Sequence, residues 1–236
     1  KESTMTDRPI LFSGPMVRAL LEGRKTQTRR VILRVERDNC LPIGKGKPRS
    51  HVMDAPLHPH LLPVRASVGD RLWVREAWRT WLQYDARPPR DITPNTAIHY
   101  MAGPTPPVNR QMSDGKTRPG MFMPRWASRL TLTVTDVRVQ RVQDISASDV
   151  EAEGALDYLG HPGCGPTVNC YGPACPTDDA RSCNRHGCWG IREDFAALWN
   201  DLNAPRGYGW DANPWVAAYT FTVERRNIDG ARDAGA

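Results

Sequence analysis

The sequence predicts an α+β fold: a small β-barrel of mixed topology that carries short flanking helices and long loop insertions. Three observations predict it. Short β-rich runs alternate with short helical patterns along the chain, rather than segregating into one half. Arg129 to Val142 is a long strand signal whose alternation at Leu130, Leu132 and Val134 slips to Val137 and Val139, with Asp136 at the slip. A bulge there would bend the strand as barrel closure requires. Between these elements lie stretches dense in Pro and Gly with little periodicity, at about 36–66 and 85–122, and a Cys-rich stretch at 160–190. One domain over 5–226 with three insertions is therefore expected, with Lys1–Thr4 ahead of Met5 read as a tag remnant and 227–236 as a disordered tail.

In chain order, Arg8 to Phe12 reads as a first strand, with Pro9 tolerated at its edge or start. Ser13 is an N-cap candidate and Pro15 sits in the first turn, where a missing N–H costs nothing. Met16, Val17, Leu20 and Leu21 supply one apolar helix face, and Gly23 stops the helix because glycine enters the left-handed conformation without a Cβ penalty. A basic turn follows, with Arg24, Lys25, Thr26, Thr28, Arg29 and Arg30 inside seven residues. Cations interleaved with hydroxyls suit anion recognition, and a lysine held against a threonine can become a base or nucleophile. Thr28 to Val35 continues as a β-rich run.

Arg71 to Trp78 reads as a strand with Arg71, Trp73 and Arg75 on one face. That face is either a stacking platform with phosphate contacts or a barrel face whose Trp is buried and whose arginines pair with acids such as Glu76. A short strand is expected near Ala97 to Met101. Arg125 and Arg129 flank Trp126 just before the long strand. Asp144 to Gly154 is a short helix capped by Ser146 or Ser148, with Ser148-x-x-Glu151 as a capping box and Asp149, Glu151 and Glu153 as its acidic face. Arg192 to Leu202 is a helix with Phe195, Leu198, Trp199 and Leu202 as a core stripe, and Trp215 to Val223 is the closing strand.

The formal charge of +6 favours an anionic partner, and arginine supplies most of the cations. No stretch is apolar enough to span a bilayer and no signal peptide precedes the first strand, so a cytoplasmic protein with reduced cysteines is expected. In that setting Cys164, Cys170, Cys175, Cys183 and Cys188, with His186, are a candidate structural zinc site rather than a disulfide knot. The spacing matches no standard finger, and free thiols remain the other reading. Cys40, His51, Asp54, His58 and His60 in the first insertion are more simply solvated. No P-loop, GxGxxG or nucleophile elbow is present, and no organic cofactor is expected.

Gly23-Arg24-Lys25-Thr26-Gln27-Thr28-Arg29 resembles the signature turn of the ASCH family, small proteins with a PUA-like barrel. Together with Pro9-Ile10-Leu11-Phe12, Gly69-Asp70-Arg71-Leu72-Trp73-Val74-Arg75-Glu76 and Met123-Pro124-Arg125-Trp126-Ala127-Ser128-Arg129, the chain resembles a branch common in bacteriophages and prophages. The resemblance implies RNA binders, nucleases and an amidohydrolase acting on acetylated cytidine among its relatives. From the amidohydrolase branch it implies a Lys-Thr-Glu catalytic set, matched here by Lys25, Thr28 and Glu153. The other reading of those residues is a salt bridge between Lys25 and Glu153 that ties helix to turn. As a binding module, the chain would track phosphates with Arg24, Arg29, Arg30, Arg71, Arg75, Arg125 and Arg129, and stack a base of RNA or single-stranded DNA on Trp73 or Trp126. A ribonuclease lies between the two readings, the same cations stabilising a phosphorane.

Overall fold

A computed structural model describes residues 5–32, 64–103, 115–154 and 191–230. Helices and strands alternate along the chain. Strand β1 (Asp7–Leu11) leads into helix α1 (Gly14–Leu21) and then β2 (Gln27–Val31). Next come β3 (Arg71–Arg75), the short β4 (Trp78–Arg79) and β5 (His99–Tyr100), and the long β6 (Thr131–Arg141). Helix α2 (Ala147–Ala152), helix α3 (Ile191–Asn203) and β7 (Trp215–Glu224) complete the order. The sheet is mixed, with strand order β1-β3-β6-β7-β2. β1 runs parallel to β3 with Pro9 opposite Trp73, and β3 runs antiparallel to β6 with Leu72 opposite Leu132. β4 and β5 form a separate antiparallel ribbon. Among the described residues the sheet keeps β1 and β2 as edges and does not close. Alternation finds strands but is silent on whether the first pairs with the last.

The chain divides into two compact units, one of 1–26, 66–136 and 220–236, the other of 27–65 and 137–219. The division falls inside β6 at Asp136, where the alternation slips, and β6 is continuous there.

In the first unit, α1 buries Met16, Val17, Ala19 and Leu20 on the expected face. Ser13 holds the cap position in an extended conformation, but its side chain makes no capping hydrogen bond, so the helix start rests on Pro15 and on the Val17 N–H donating to the Ser13 carbonyl at 3.0 Å. Gly23 has φ 75°, the left-handed geometry that ends the helix. β3 ends at Arg75 rather than reaching Trp78. Gly120 passes so close to the Glu76 backbone that a Cβ there would lie 2.9 Å from the Glu76 carbonyl carbon. The excursion between β3 and β6 builds its own apolar cluster of Trp78, Ile92, Met123 and Ala127, with Tyr84, Ile98, Tyr100 and Trp126 packed against it.

The chain does not loosen after β7. Ile228 is fully buried, and the Asn227 amide donates to the carbonyls of Arg125, Trp126 and Ser128 at 3.0, 3.1 and 2.7 Å. Disorder expected from position 227 onward is thus corrected for 227–230. Polar terminal composition could not show that an amide there satisfies three carbonyls of a distant turn.

In the second unit, Ser146 caps α2, accepting from the Asp149 N–H at 3.1 Å. Ser148 bonds Ser146 instead of forming the expected box with Glu151. α3 buries Phe195, Leu198 and Trp199, whereas Leu202, read as core, is 55% exposed at the helix end. The Trp199 indole donates to the Tyr208 carbonyl at 2.8 Å, and Asn203 takes the Trp199 carbonyl, so the helix is closed by its own following loop.

Candidate functional site

β2 begins with a run that is polar yet buried, Gln27-Thr28-Arg29, and continues into the half-buried Arg30. Strand alternation pairs Thr28 with Arg30 and Gln27 with Arg29. Both pairs are bonded. Arg30 Nη1 donates to Thr28 Oγ1 at 3.1 Å, and Arg29 Nη1 donates to Gln27 Oε1 at 2.6 Å. The Arg29 guanidinium, 1% exposed, also reaches two carboxylates of α2 and its C-cap: Glu153 Oε1 at 3.0 Å and Asp149 Oδ2 at 2.8 Å. Arg138 of β6 holds the other oxygen of Asp149 at 2.8 Å. Asp149 and Glu153 are four residues apart, one turn on the same helix face, so one arginine can bridge both. Arg29 Nε is buried and meets no acceptor among the described residues.

Charge is concentrated here in little water. Burial raises the Asp149 carboxyl, but the Arg138 hydrogen bond and the charges of Arg29 and Arg138 outweigh it and hold the group down to about 2. Burial pushes the Arg30 guanidinium below its ordinary value; Glu153 and Tyr219 oppose that shift and Arg65 adds to it. The Tyr219 hydroxyl accepts the Arg65 backbone N–H at 3.0 Å.

Lys25 belongs to the first unit. It is 1% exposed, its Nζ lies 5.5 Å from the Phe12 ring centroid, and its backbone N–H closes on the Ala19 carbonyl at 3.1 Å. The chain passes into the second unit between Thr26 and Gln27, so Thr28 and Glu153 stand in that unit together. All three members of the Lys-Thr-Glu set are buried. Arg29 ties β2 to the C-cap of α2 through Glu153. Asp149 was read only as part of the helix's acidic face, and Arg138 and Gln27 carried no site role; the i, i+4 spacing of Asp149 and Glu153 beside a basic strand was the signal that could have found them.

The arginines read as phosphate trackers in the first unit are mostly matched to acids. Arg24 pairs with Glu22. Arg71 grips Asp7 at two points, 2.9 and 3.0 Å, and Arg125 bridges Asp7 and Asp229 at 2.6 Å each. Those two carboxylates hold Arg125 above its ordinary value, the Asp229 hydrogen bond contributing most. Arg129 grips Glu76 at 2.8 and 2.9 Å, and its guanidinium lies 4.1 Å from the Tyr100 ring centroid. Trp73 is buried and Trp126 is half-buried against the Trp78 cluster. Arg75 differs: it lies 4.4 Å from the Trp73 ring centroid and donates to the Met121 carbonyl at 3.1 Å.

The cysteine cluster (Cys164, Cys170, Cys175, Cys183, His186 and Cys188) lies outside the described residues, as do Cys40, His51, Asp54, His58 and His60. Among the described residues, no group of three or more His, Cys, Asp or Glu could hold a metal ion, and no helix is long and apolar enough to cross a membrane.

No family model matches the chain, and a search of curated proteins gave no match. Among solved structures the chain is similar to protein EF3133 from Enterococcus faecalis V583, of the family model DUF984. The TM-score is 0.40 with 11% identity, covering 99% of this chain and 85% of that one. A likeness at that level fixes neither fold nor function.

Proposed function

We propose that the chain is an ASCH-type protein of the PUA-like superfamily, of the bacteriophage and prophage branch. On this reading it recognises a nucleic acid or a modified nucleobase and removes an N-acyl-type group from a modified cytosine or related base. The observation that carries the reading is the burial of Lys25, Thr28 and Glu153, at 1%, 1% and 6% exposure. Burying three polar groups of this kind is costly, and such groups are kept where they are bonded or put to use. In the proposed reaction Lys25 is the base, and the Thr28 oxygen, or a water, attacks the acyl carbon. The C–O bond forms as the C–N bond breaks; where Thr28 is the nucleophile, a water then cleaves the resulting threonyl ester, releasing the carboxylate and restoring the hydroxyl. The exocyclic nitrogen gains a proton, relayed by Glu153, and leaves as the amine. Arg30 donating to Thr28 Oγ1 at 3.1 Å favours loss of the hydroxyl proton, because a cationic donor stabilises the developing alkoxide.

The test incubates the full chain with N4-acetylcytidine, free and within an oligonucleotide, and follows deacylation by mass spectrometry. Lys25→Ala, Thr28→Ala and Glu153→Gln should each remove most turnover from the folded fraction, and double variants should lose little more. No turnover on any N-acylated base would refute the hydrolase. One observation favours the second reading, a non-catalytic binder of RNA or single-stranded DNA: the Glu153 carboxylate is already held by Arg29 at 3.0 Å. In that case Glu153→Gln lowers the melting temperature and leaves binding by the folded fraction intact.

A further inference from the structure

Arg75 has no carboxylate partner among the described residues, its Nε is buried with no hydrogen-bond partner among them, and its guanidinium carbon lies 4.4 Å from the Trp73 ring centroid. Arg118 shares these features over Trp78 at 5.6 Å, but it is 5% exposed, whereas Arg75 is half-buried. Burial pushes its guanidinium below the ordinary value. With Nη1 on the Met121 carbonyl, the remaining N–H groups of the guanidinium are left to meet an oxyanion.

The surroundings are apolar and exposed. Leu11, Met121 and Phe122 are 52%, 59% and 55% exposed. They gather at one place for identifiable reasons. Leu11 stands opposite Arg75 in the β1–β3 register, and Met121 gives its carbonyl to Arg75. Gly120 approaches Leu11 so closely that a Cβ there would come within 2.8 Å of Leu11 Cδ1. Phe122 follows in the same short turn, Gly120–Phe122. Exposed aromatic surface beside a cation with no carboxylate partner among the described residues matches a ligand that offers an anion and a flat ring at neighbouring positions.

We infer that Arg75 and Phe122 form a contact for single-stranded nucleic acid, Arg75 taking a backbone phosphate and Phe122 stacking the adjoining base. This placement rests on the nucleic-acid reading above. It moves the contact from the acid-paired arginines Arg24, Arg29, Arg71, Arg125 and Arg129 to the turn at 120–122.

The experiment uses the full chain and fluorescence anisotropy with labelled single strands of about ten nucleotides, RNA and DNA, with an abasic strand of equal length, across a salt series. Arg75→Gln should weaken binding about tenfold and lower the salt slope by roughly 0.7, the value for one phosphate contact on a single strand. Phe122→Ala should weaken the base-bearing strands about tenfold and leave the abasic strand unchanged. Arg90→Gln, at a side chain 85% exposed, removes the same net charge and should alter the slope much less. Equal effects of Arg75→Gln and Arg90→Gln, or equal effects of Phe122→Ala on both strand types, overturn the placement while leaving nucleic-acid binding standing. A wild-type chain that binds no strand overturns both, and polyglutamate competing as well as oligonucleotide reassigns the patch to an acidic peptide. Should Arg75→Gln fail to fold in a thermal melt, the exposed Phe122 variant decides the matter alone.

Discussion

Asp149→Asn is the sharpest probe of the ion cluster on β2 and α2. The carboxyl titrates near 2, against roughly 3.9 for an unperturbed aspartate. At about 1.4 kcal/mol per pH unit, the folded protein favours the ionised form by about 2.5 kcal/mol. The side chain is 13% exposed, so little of that is screened by solvent. Because the folded value is depressed, the contribution is fully present above about pH 4 and is lost as pH falls toward 2. Urea unfolding should therefore show Asp149→Asn less stable by about 2 kcal/mol at pH 7, with an unchanged m value and a gap that narrows below about pH 4. Arg138 is 42% exposed, and its half of the cluster is worth at most about 1 kcal/mol. Arg29 and Gln27 share the rest, and adding Arg138→Gln to the variant should cost little more. A variant as stable as wild type at pH 7, or a gap indifferent to pH between 5 and 2, would refute the electrostatic account.

Arg29→Met leaves Glu153 and Asp149 short of a buried counter-charge and should cost about 3 kcal/mol or more by the same assay, with part regained in the double variant with Glu153→Gln. Asn227→Ala releases three carbonyls and should cost about 2–3 kcal/mol, lowering the melting temperature. Gly115→Ala places a Cβ 2.0 Å from the Thr80 carbonyl oxygen, so the backbone must shift; a loss of about 2 kcal/mol is expected in thermal unfolding, and an unchanged melting temperature would contradict the close approach.

How much of this was legible in the sequence follows from the range of each signal. Elements set by local chemistry were readable: Pro15 and Gly23 bracket α1, Phe195, Leu198 and Trp199 give the buried stripe of α3, and β7 was found within a residue of its end. Strand interruptions set by distant backbone were not. β3 stops at Arg75 because Gly120, more than forty residues later, lies against Glu76. At the candidate site, Lys25, Thr28 and Glu153 were singled out from a motif, and all three are buried, although Lys and Glu seldom are. The partner of Glu153 was not, because an arginine looks alike in sequence whether it faces phosphate or carboxylate. Only the positions of Asp7, Glu76, Asp149, Glu153 and Asp229 reveal which arginines are already committed.

The ion network of Asp7, Arg71, Arg125 and Asp229 has a consequence for how the protein is made. The first unit is assembled from three separated stretches of chain, and its clamp residues, Asn227 and Asp229, lie about a hundred residues after the turn they hold. During translation the turn at 125–128 and the head of β1 have both been made for about a hundred residues before their final partners leave the ribosome. Loop-closure entropy over such separations slows folding, and the unsatisfied carbonyls and charges are exposed meanwhile. Neither unit corresponds to a contiguous stretch of message, so a chain truncated before position 227 lacks the clamp on a turn encoded a hundred codons earlier.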